Sequence, residues 1–174
     1  MCLTGSALLH MSGFHDVHFP VFPKLTHLTI GMGGRSRVLH SLLSSASKLQ
    51  SLVIDLEYHT GPATVWEDLE TACTPECLLS SLEVIEIKDL VWQEGDWNII
   101  VHLVNTGVVL KKVNIHLKSC DHEAWGRTAL AVLLKQWGGL RGREARLFLP
   151  NNKEIRISSD DEINNEVDKK EGGP

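Results

Sequence analysis

Four short segments of the chain share one pattern of apolar positions, in which the second lies three residues and the third five residues after the first. They are Leu25/Leu28/Ile30, Leu49/Leu52/Ile54, Leu82/Ile85/Ile87 and Leu110/Val113/Ile115. The last two positions of each are two residues apart, which puts both side chains on one face of a β-strand. The first position lies where a chain leaving a helix turns into that strand. The segments also recur as pairs. Leu25, Leu28 and Ile30 return 57 residues later as Leu82, Ile85 and Ile87. Leu42, Leu43, Leu49, Leu52 and Ile54 return 61 residues later as Leu103, Val104, Leu110, Val113 and Ile115. The change of offset falls in the loop between a strand and the next helix, where extra residues cost little. Eight matched positions with a single change of length establish an internal repeat.

Between the strand segments the period becomes helical. Leu39, Leu42, Leu43 and Ala46 follow the i, i+3, i+4, i+7 spacing of a helix with one buried stripe, and Ile99, Ile100, Leu103 and Val104 do so in the second copy. A third helix is predicted over about 121–137, with Leu130, Leu133, Leu134 and Trp137 on one face, Asp121 as N-cap and Gly138-Gly139 as the stop. Two strands, 145–149 and 154–158, flank Pro150-Asn151-Asn152 and read as a hairpin. Strands separated by helices must run parallel, with the helices on the other side. The predicted fold is therefore α/β, a short irregular leucine-rich-repeat-like solenoid with parallel strands on one side and helices on the other. Regular repeats of that type often place Asn or Cys three residues past the last strand position. Here those positions are Gly33, Glu57, Leu90 and Lys118, so the turns must satisfy their backbone groups in another way.

Composition narrows the function classes. The chain has 174 residues, 43% apolar and 22% charged, the balance of a globular domain. Its net charge is −5, of which residues 158–174 carry −4. A nearly neutral body and an acidic, disordered tail offer no basic field for nucleic acid or an anionic membrane. The longest apolar runs, at 108–110 and 130–134, are too short to span a bilayer, and no signal-peptide pattern is read at the N-terminus. Four irregularly spaced cysteines, Cys2, Cys73, Cys77 and Cys120, fit a reduced compartment, so a cytosolic or nuclear protein is expected.

The stretch WEDLETACTPECLLSSLEVIEI (66–87) resembles the opening of the FBD domain of plant F-box/leucine-rich-repeat proteins, most specifically in Pro75-Glu76-Cys77-Leu78-Leu79. EGDWNIIVHLVNTGVVLKKVNI (94–115) resembles that domain's helix and second strand, and residues 123–149 resemble its last helix and final strand more loosely. Upstream, residues 19–31 and 42–56 look like the last leucine-rich repeats before such a domain. The resemblance implies LRR-like repeats at 19–65, an FBD-like domain at 66–149 and a terminal strand at 150–158. Residues 1–18 are then a partial repeat or disordered N-terminus, and 159–174 a disordered acidic tail. Members of this family usually begin with an F-box, which docks on a Skp-type adaptor of a cullin ubiquitin ligase. The first twenty residues, with Gly5, Gly13 and Pro20, resemble no F-box, so direct adaptor binding is not expected. What the resemblance implies is the substrate-recognition half of such a protein.

Candidate chemistry is sparse. Cys73 and Cys77 with Cys120 and His122 could be drawn as a zinc site, but the spacing is loose and the family pattern already supplies Cys77 where a strand begins, so they read as buried or incidental thiols. Gly31-Met32-Gly33-Gly34, followed by Arg35 and Arg37, lacks the lysine–hydroxyl pair of a phosphate loop and reads as a strand-to-helix turn. His15-Asp16-Val17-His18, with His10 and His27, is the densest histidine cluster, and with no matching nucleophile it reads as surface. Trp97, Trp125 and Trp137 are expected to cap the helical side of the core; Trp92 is the best candidate for a partner-contacting aromatic, with packing the commoner role for such a residue. RGREAR (141–146) reads as a solvated loop. No catalytic, cofactor-binding or metal residue is assigned. The expected function is a non-catalytic protein-interaction module that presents strand-side loops to a partner. The alternative is a truncated structural remnant whose first strand, at 19–30, would leave an open edge. An enzyme would need a deep pocket with convergent polar groups.

Overall fold

Strands whose side chains alternate buried and accessible need a sheet covered on one face only, and that is the arrangement found. The structure, a computed structural model, describes residues 2–3, 19–31, 36–56, 73–91, 94–119, 123–137, 142–151 and 153–158. In chain order the elements are β1 (Cys2–Leu3), β2 (His27–Gly31), α1 (Ser36–Ser45), β3 (Ser51–Asp55), α2 (Glu76–Ser80), β4 (Val84–Leu90), α3 (Glu94–Thr106), β5 (Lys112–Leu117), α4 (Glu123–Gln136), β6 (Glu144–Phe148) and β7 (Glu154–Ser158). The strands form one sheet in sequence order, parallel from β1 to β6, with β7 added antiparallel through the predicted hairpin. The fold is thus mixed α/β with a mostly parallel sheet.

The repeated apolar positions are register partners. Leu28, Leu52, Ile85, Val113 and Ala145 form one row across β2–β6, and Ile30, Ile54, Ile87, Ile115 and Leu147 form the next. All ten are buried to 1% exposure or less. The first position of the pattern behaves as expected in three copies, where Leu49, Leu82 and Leu110 are buried between helix and strand. In the first copy Leu25 is only partly buried against the core. The predicted helical stripes also face inward, with Leu39, Leu42, Leu43 and Ala46 at α1 and Ile99, Ile100, Leu103 and Val104 on α3. On α4, Leu130 and Leu133 are buried with Trp137 just beyond it, while the side chain of Leu134, Asp121 and Gly138-Gly139 lie outside the described residues.

Backbone bonds replace the missing turn side chains. At the far end of the strands Leu56 N donates to Lys88 O at 3.1 Å and Lys118 N to Leu90 O at 3.1 Å, so the ladder runs on into the turns. At the near end each repeat hands two donors to one carbonyl of the repeat before it. Gln50 N and Ser51 N donate to Thr26 O, Glu83 N and Val84 N to Gln50 O, and Lys111 N and Lys112 N to Glu83 O. These three steps each satisfy backbone donors through the neighbouring segment.

Three local features depart from the sequence reading. Cys77 does not begin a strand; it sits on α2, a helix of five residues, with its side chain in the core. Five residues are too few to display a 3.6-residue period, so only the turn before β4 is legible in the sequence. Position Leu90 is no turn residue, because β4 continues through a bulge in which Lys88 and Asp89 together face His116. Asp89 takes φ of 55°, a left-handed conformation that aspartate tolerates better than most side chains. Finally, β2 is not an open edge along its whole length, since β1 pairs Cys2 with Thr29 and Leu3 with Ile30.

The turn from α3 into β5 depends on close approach at Gly107. A Cβ there would lie 2.8 Å from Leu103 O and 3.0 Å from Leu110 Cβ, both in the packed interior. Gly107→Ala is expected to cost about 1–3 kcal/mol of stability, measured by chemical denaturation. A loss smaller than a few tenths would mean that Leu110 moves freely there.

Candidate interaction surface

With the apolar residues of every strand turned toward the helices, the alternate residues build the opposite face of the sheet. One row across it is His27, Ser51, Val84, Lys112 and Glu144, and the next is Thr29, Val53, Glu86, Asn114, Arg146 and Arg156. Beyond the bulge lie Lys88, His116, Phe148 and Glu154. The face is polar and charged, and it carries two clusters.

The first spans β4–β6. Glu86 lies 3.6 Å from Lys88 Nζ and 3.3 Å from His116 Nε2, and the His116 ring stacks on Phe148 with centroids 4.4 Å apart and planes 10° from parallel. Between Glu86 and Arg146 stands Asn114, whose Oδ1 is buried and accepts no hydrogen bond. A buried acceptor left unmet costs about 1–3 kcal/mol.

The second cluster joins β6 to β7. Arg146 Nε donates to Glu144 Oε1 at 2.7 Å, Arg146 Nη1 lies 3.2 Å from Glu154 Oε1, and Arg156 Nε bonds the same Glu144 oxygen. Glu144 and Arg146 are half-buried strand residues, not the solvated loop expected of RGREAR. Arg143, from the same run, donates to Trp137 O and to Val108 O and lies 5.0 Å from the Trp137 ring centroid, locking the end of α4 to the turn before β5. The hydrogen bond from Arg146, aided by the nearby Arg156 and Lys112 charges and opposed by burial, holds the Glu144 carboxyl below the usual glutamate pKa. A depressed folded-state pKa stabilises the protein above the unfolded value and is lost as pH falls through the folded one. Glu144→Gln is therefore expected to flatten the loss of stability seen below about pH 5, as followed by melting temperature against pH. An unchanged acid slope would show that Glu144 is not the group being protonated.

The remaining candidates fall as follows. Cys73 is exposed and Cys77 buried, its thiol directed at Leu43 O at 3.4 Å. Cys120 and His122 lie outside the described residues, and among the described residues no three His, Cys, Asp or Glu side chains gather as metal ligands. Gly31 ends β2 opposite Asp55, whereas Met32–Arg35 are outside the description. His27 is exposed on β2 beside Thr26 Oγ1 at 2.9 Å, and His10, His15, Asp16 and His18 are outside the description. Trp97 is partly buried against the core and Trp137 is buried, while Trp92 and the side chain of Trp125 are not described. On the helical side, Leu39, Leu43, Leu78, Ile99 and Leu103 line an apolar crevice with the half-buried His40 and His102. His40 Nε2 is already bonded to Cys73 O at 2.8 Å. Among the described residues no helix is long and apolar enough to cross a membrane.

Part of the sheet face lies in a region shared with other proteins. Residues 70–115 match the FBD family, a span that runs through α2, β4 and α3 to Ile115 of β5. An FBD-associated F-box protein of Arabidopsis thaliana is 31% identical over 86 residues, 49% of this chain and 18% of that protein. Two F-box/FBD/LRR-repeat proteins of the same plant are 34% identical over 83 residues and 31% identical over 104 residues, covering 47% and 59% of this chain and 18% and 23% of their own lengths. The chain thus spans less than a quarter of these curated relatives. No solved structure matches it. The chain resembles the plant F-box/FBD/LRR-repeat proteins, with FBD-family sequence at residues 70–115.

Proposed function

We propose that this chain is a non-catalytic protein-interaction module whose helix-free sheet face receives a protein partner. The observation that carries the reading is the set of polar side chains on that face, Glu86, His116 and Arg146, already ordered by pairing with one another or with their neighbours. Prepaired charges and a stacked ring lose little freedom on binding, which favours recognition over chemistry. A solenoid reading fits the in-register rows and the backbone bonds passed from repeat to repeat. On it, 19–65 form the leucine-rich-repeat-like part and 66–149 the FBD-like part. By similarity to F-box/FBD/LRR-repeat proteins, the partner would be a protein destined for ubiquitination in the cytosol or nucleus, and neither nucleic acid nor a membrane is the target.

Exchanging Glu86 and Lys88 (Glu86→Lys with Lys88→Glu) keeps the composition of β4 and rearranges the displayed charge. Proteins captured by the parent chain should be lost by this variant and kept by Lys135→Glu on the exposed side of α4. If the exchanged variant melts like the parent and captures the same proteins equally well, the sheet face is not the recognition surface. A remnant without independent activity would instead show no cooperative melt at all.

A further inference from the structure

We propose that β7 is the interface of a homodimer, joining two copies edge to edge into one continuous sheet. Among the described residues β7 is the terminal strand, with β6 on one side and no strand on the other. Its bonding register follows from two contacts. Leu149 N donates to Lys153 O at 2.9 Å across the hairpin, so Leu147 and Ile155, two residues further along each strand, form the next hydrogen-bonded pair. Glu144 N, on the other parity of β6, donates away from β7 to Lys111 O. By the same alternation the N–H and C=O groups of Glu154 and Arg156 point outward, to the free edge.

Those two residues fix what can dock there. Antiparallel pairing centred on Ile155 sets Glu154 of each copy opposite Arg156 of the other, with four backbone hydrogen bonds between them. Both side chains are on the helix-free face and accessible, Glu154 at 42% and Arg156 at 61%. The pairing also resolves a tension within one copy, where Arg156 stands directly opposite Arg146. In the dimer Arg156 gains a carboxylate on its other side. The alternative register centred on Arg156 would line up Arg146, Arg156 and their two counterparts in one row, and like charges directly opposite oppose pairing. Charged edge strands normally repel other strands. This one repels all but its own complement, and a two-fold axis satisfies both ion pairs at once.

The test is sedimentation equilibrium of the full chain up to about 1 mM, with the charge reversals Arg156→Glu and Glu154→Arg. The parent is expected to dimerise, and each reversal to weaken the dimer about tenfold or more, because two attractive pairs become two repulsive ones. An equimolar mixture of the two reversals should associate as a heterodimer, since the paired arginines on β7 of one chain then face the paired glutamates on β7 of the other. Arg156→Pro, which removes an outward N–H while leaving the backbone bonds to β6, should abolish the dimer, and more completely than Arg156→Gln, which removes the charge alone. A parent monomeric at every concentration overturns the proposal, as do a reversal that dimerises as tightly as the parent and two folded reversals that stay apart when mixed.

Discussion

Ile87→Ala is expected to destabilise the protein by about 3 kcal/mol, one of the two largest effects anticipated for a single substitution outside a charge placed in the core. Ile87 is 1% exposed and lies in register between Ile54 on β3 and Ile115 on β5. Both neighbours are held by their own ladders, so neither strand can slide to fill the space left by the missing carbons. The cost is then the lost transfer of the side chain plus most of a cavity. For a chain of this size the melting temperature should fall by roughly 6–12 °C. Val108→Ala supplies the contrast, because Val108 is 60% exposed and its ties to Leu78 and Arg143 run through backbone atoms. That change should stay within about 0.5 kcal/mol. An Ile87→Ala penalty no larger than that of Val108→Ala, by urea denaturation, would mean the rows are not packed as described.

The same rows explain why so much of the fold is legible in the sequence. A sheet covered on one face forces apolar residues onto alternate positions, and helices joining parallel strands force the switch to a helical period. Leu52/Ile54 and Val113/Ile115 therefore announce both their strands and their shared face. What stays hidden is what those periods do not encode. The bulge at Lys88-Asp89 is written as a three-residue gap between Ile87 and Leu90 where β5 has a two-residue gap between Ile115 and Leu117, but its meaning needs the register between the strands. The interaction surface is harder still. The sequence points to strand-side loops, most of which fall outside the described residues, whereas the described structure assembles polar side chains on the strands themselves. Glu86, Asn114, Arg146 and Arg156 come from four strands and share no sequence spacing; only the sheet order makes them a row. The signal for the Glu144–Arg146–Arg156 cluster is a hairpin with opposite charges on alternating positions, readable once its turn is recognised.

Cys77 is expected to resist alkylation far beyond Cys73, because it is sealed in the core. Burial pushes its thiol pKa from about 9 up to about 11, against the smaller effect of backbone hydrogen bonds. At pH 8 that alone lowers the thiolate fraction by about a hundredfold relative to an unshifted thiol, and the thiolate is the species that reacts. Access sets the rate. Cys77 is fully buried with its sulfur at Leu43 O, so reagent reaches it only when α2 opens, whereas Cys73 is exposed. Opening of α2 returns the thiol to solvent and removes the effect of burial on its acidity, so labelling should be slower than at Cys73 by the opening equilibrium, about a hundredfold or more, measured as the labelling of each cysteine-containing peptide over time. The raised pKa also has a thermodynamic sign. A group harder to ionise in the folded state leaves stability intact below pH 9 and drains it as pH rises toward 11, where the unfolded chain alone is deprotonated. Cys77→Ala should therefore lose stability at neutral pH, by leaving a small void, yet remove part of the alkaline decline. Comparable labelling rates for the two cysteines in the folded chain would place Cys77 outside the core, and overturn the docking of α2 between α1 and α3.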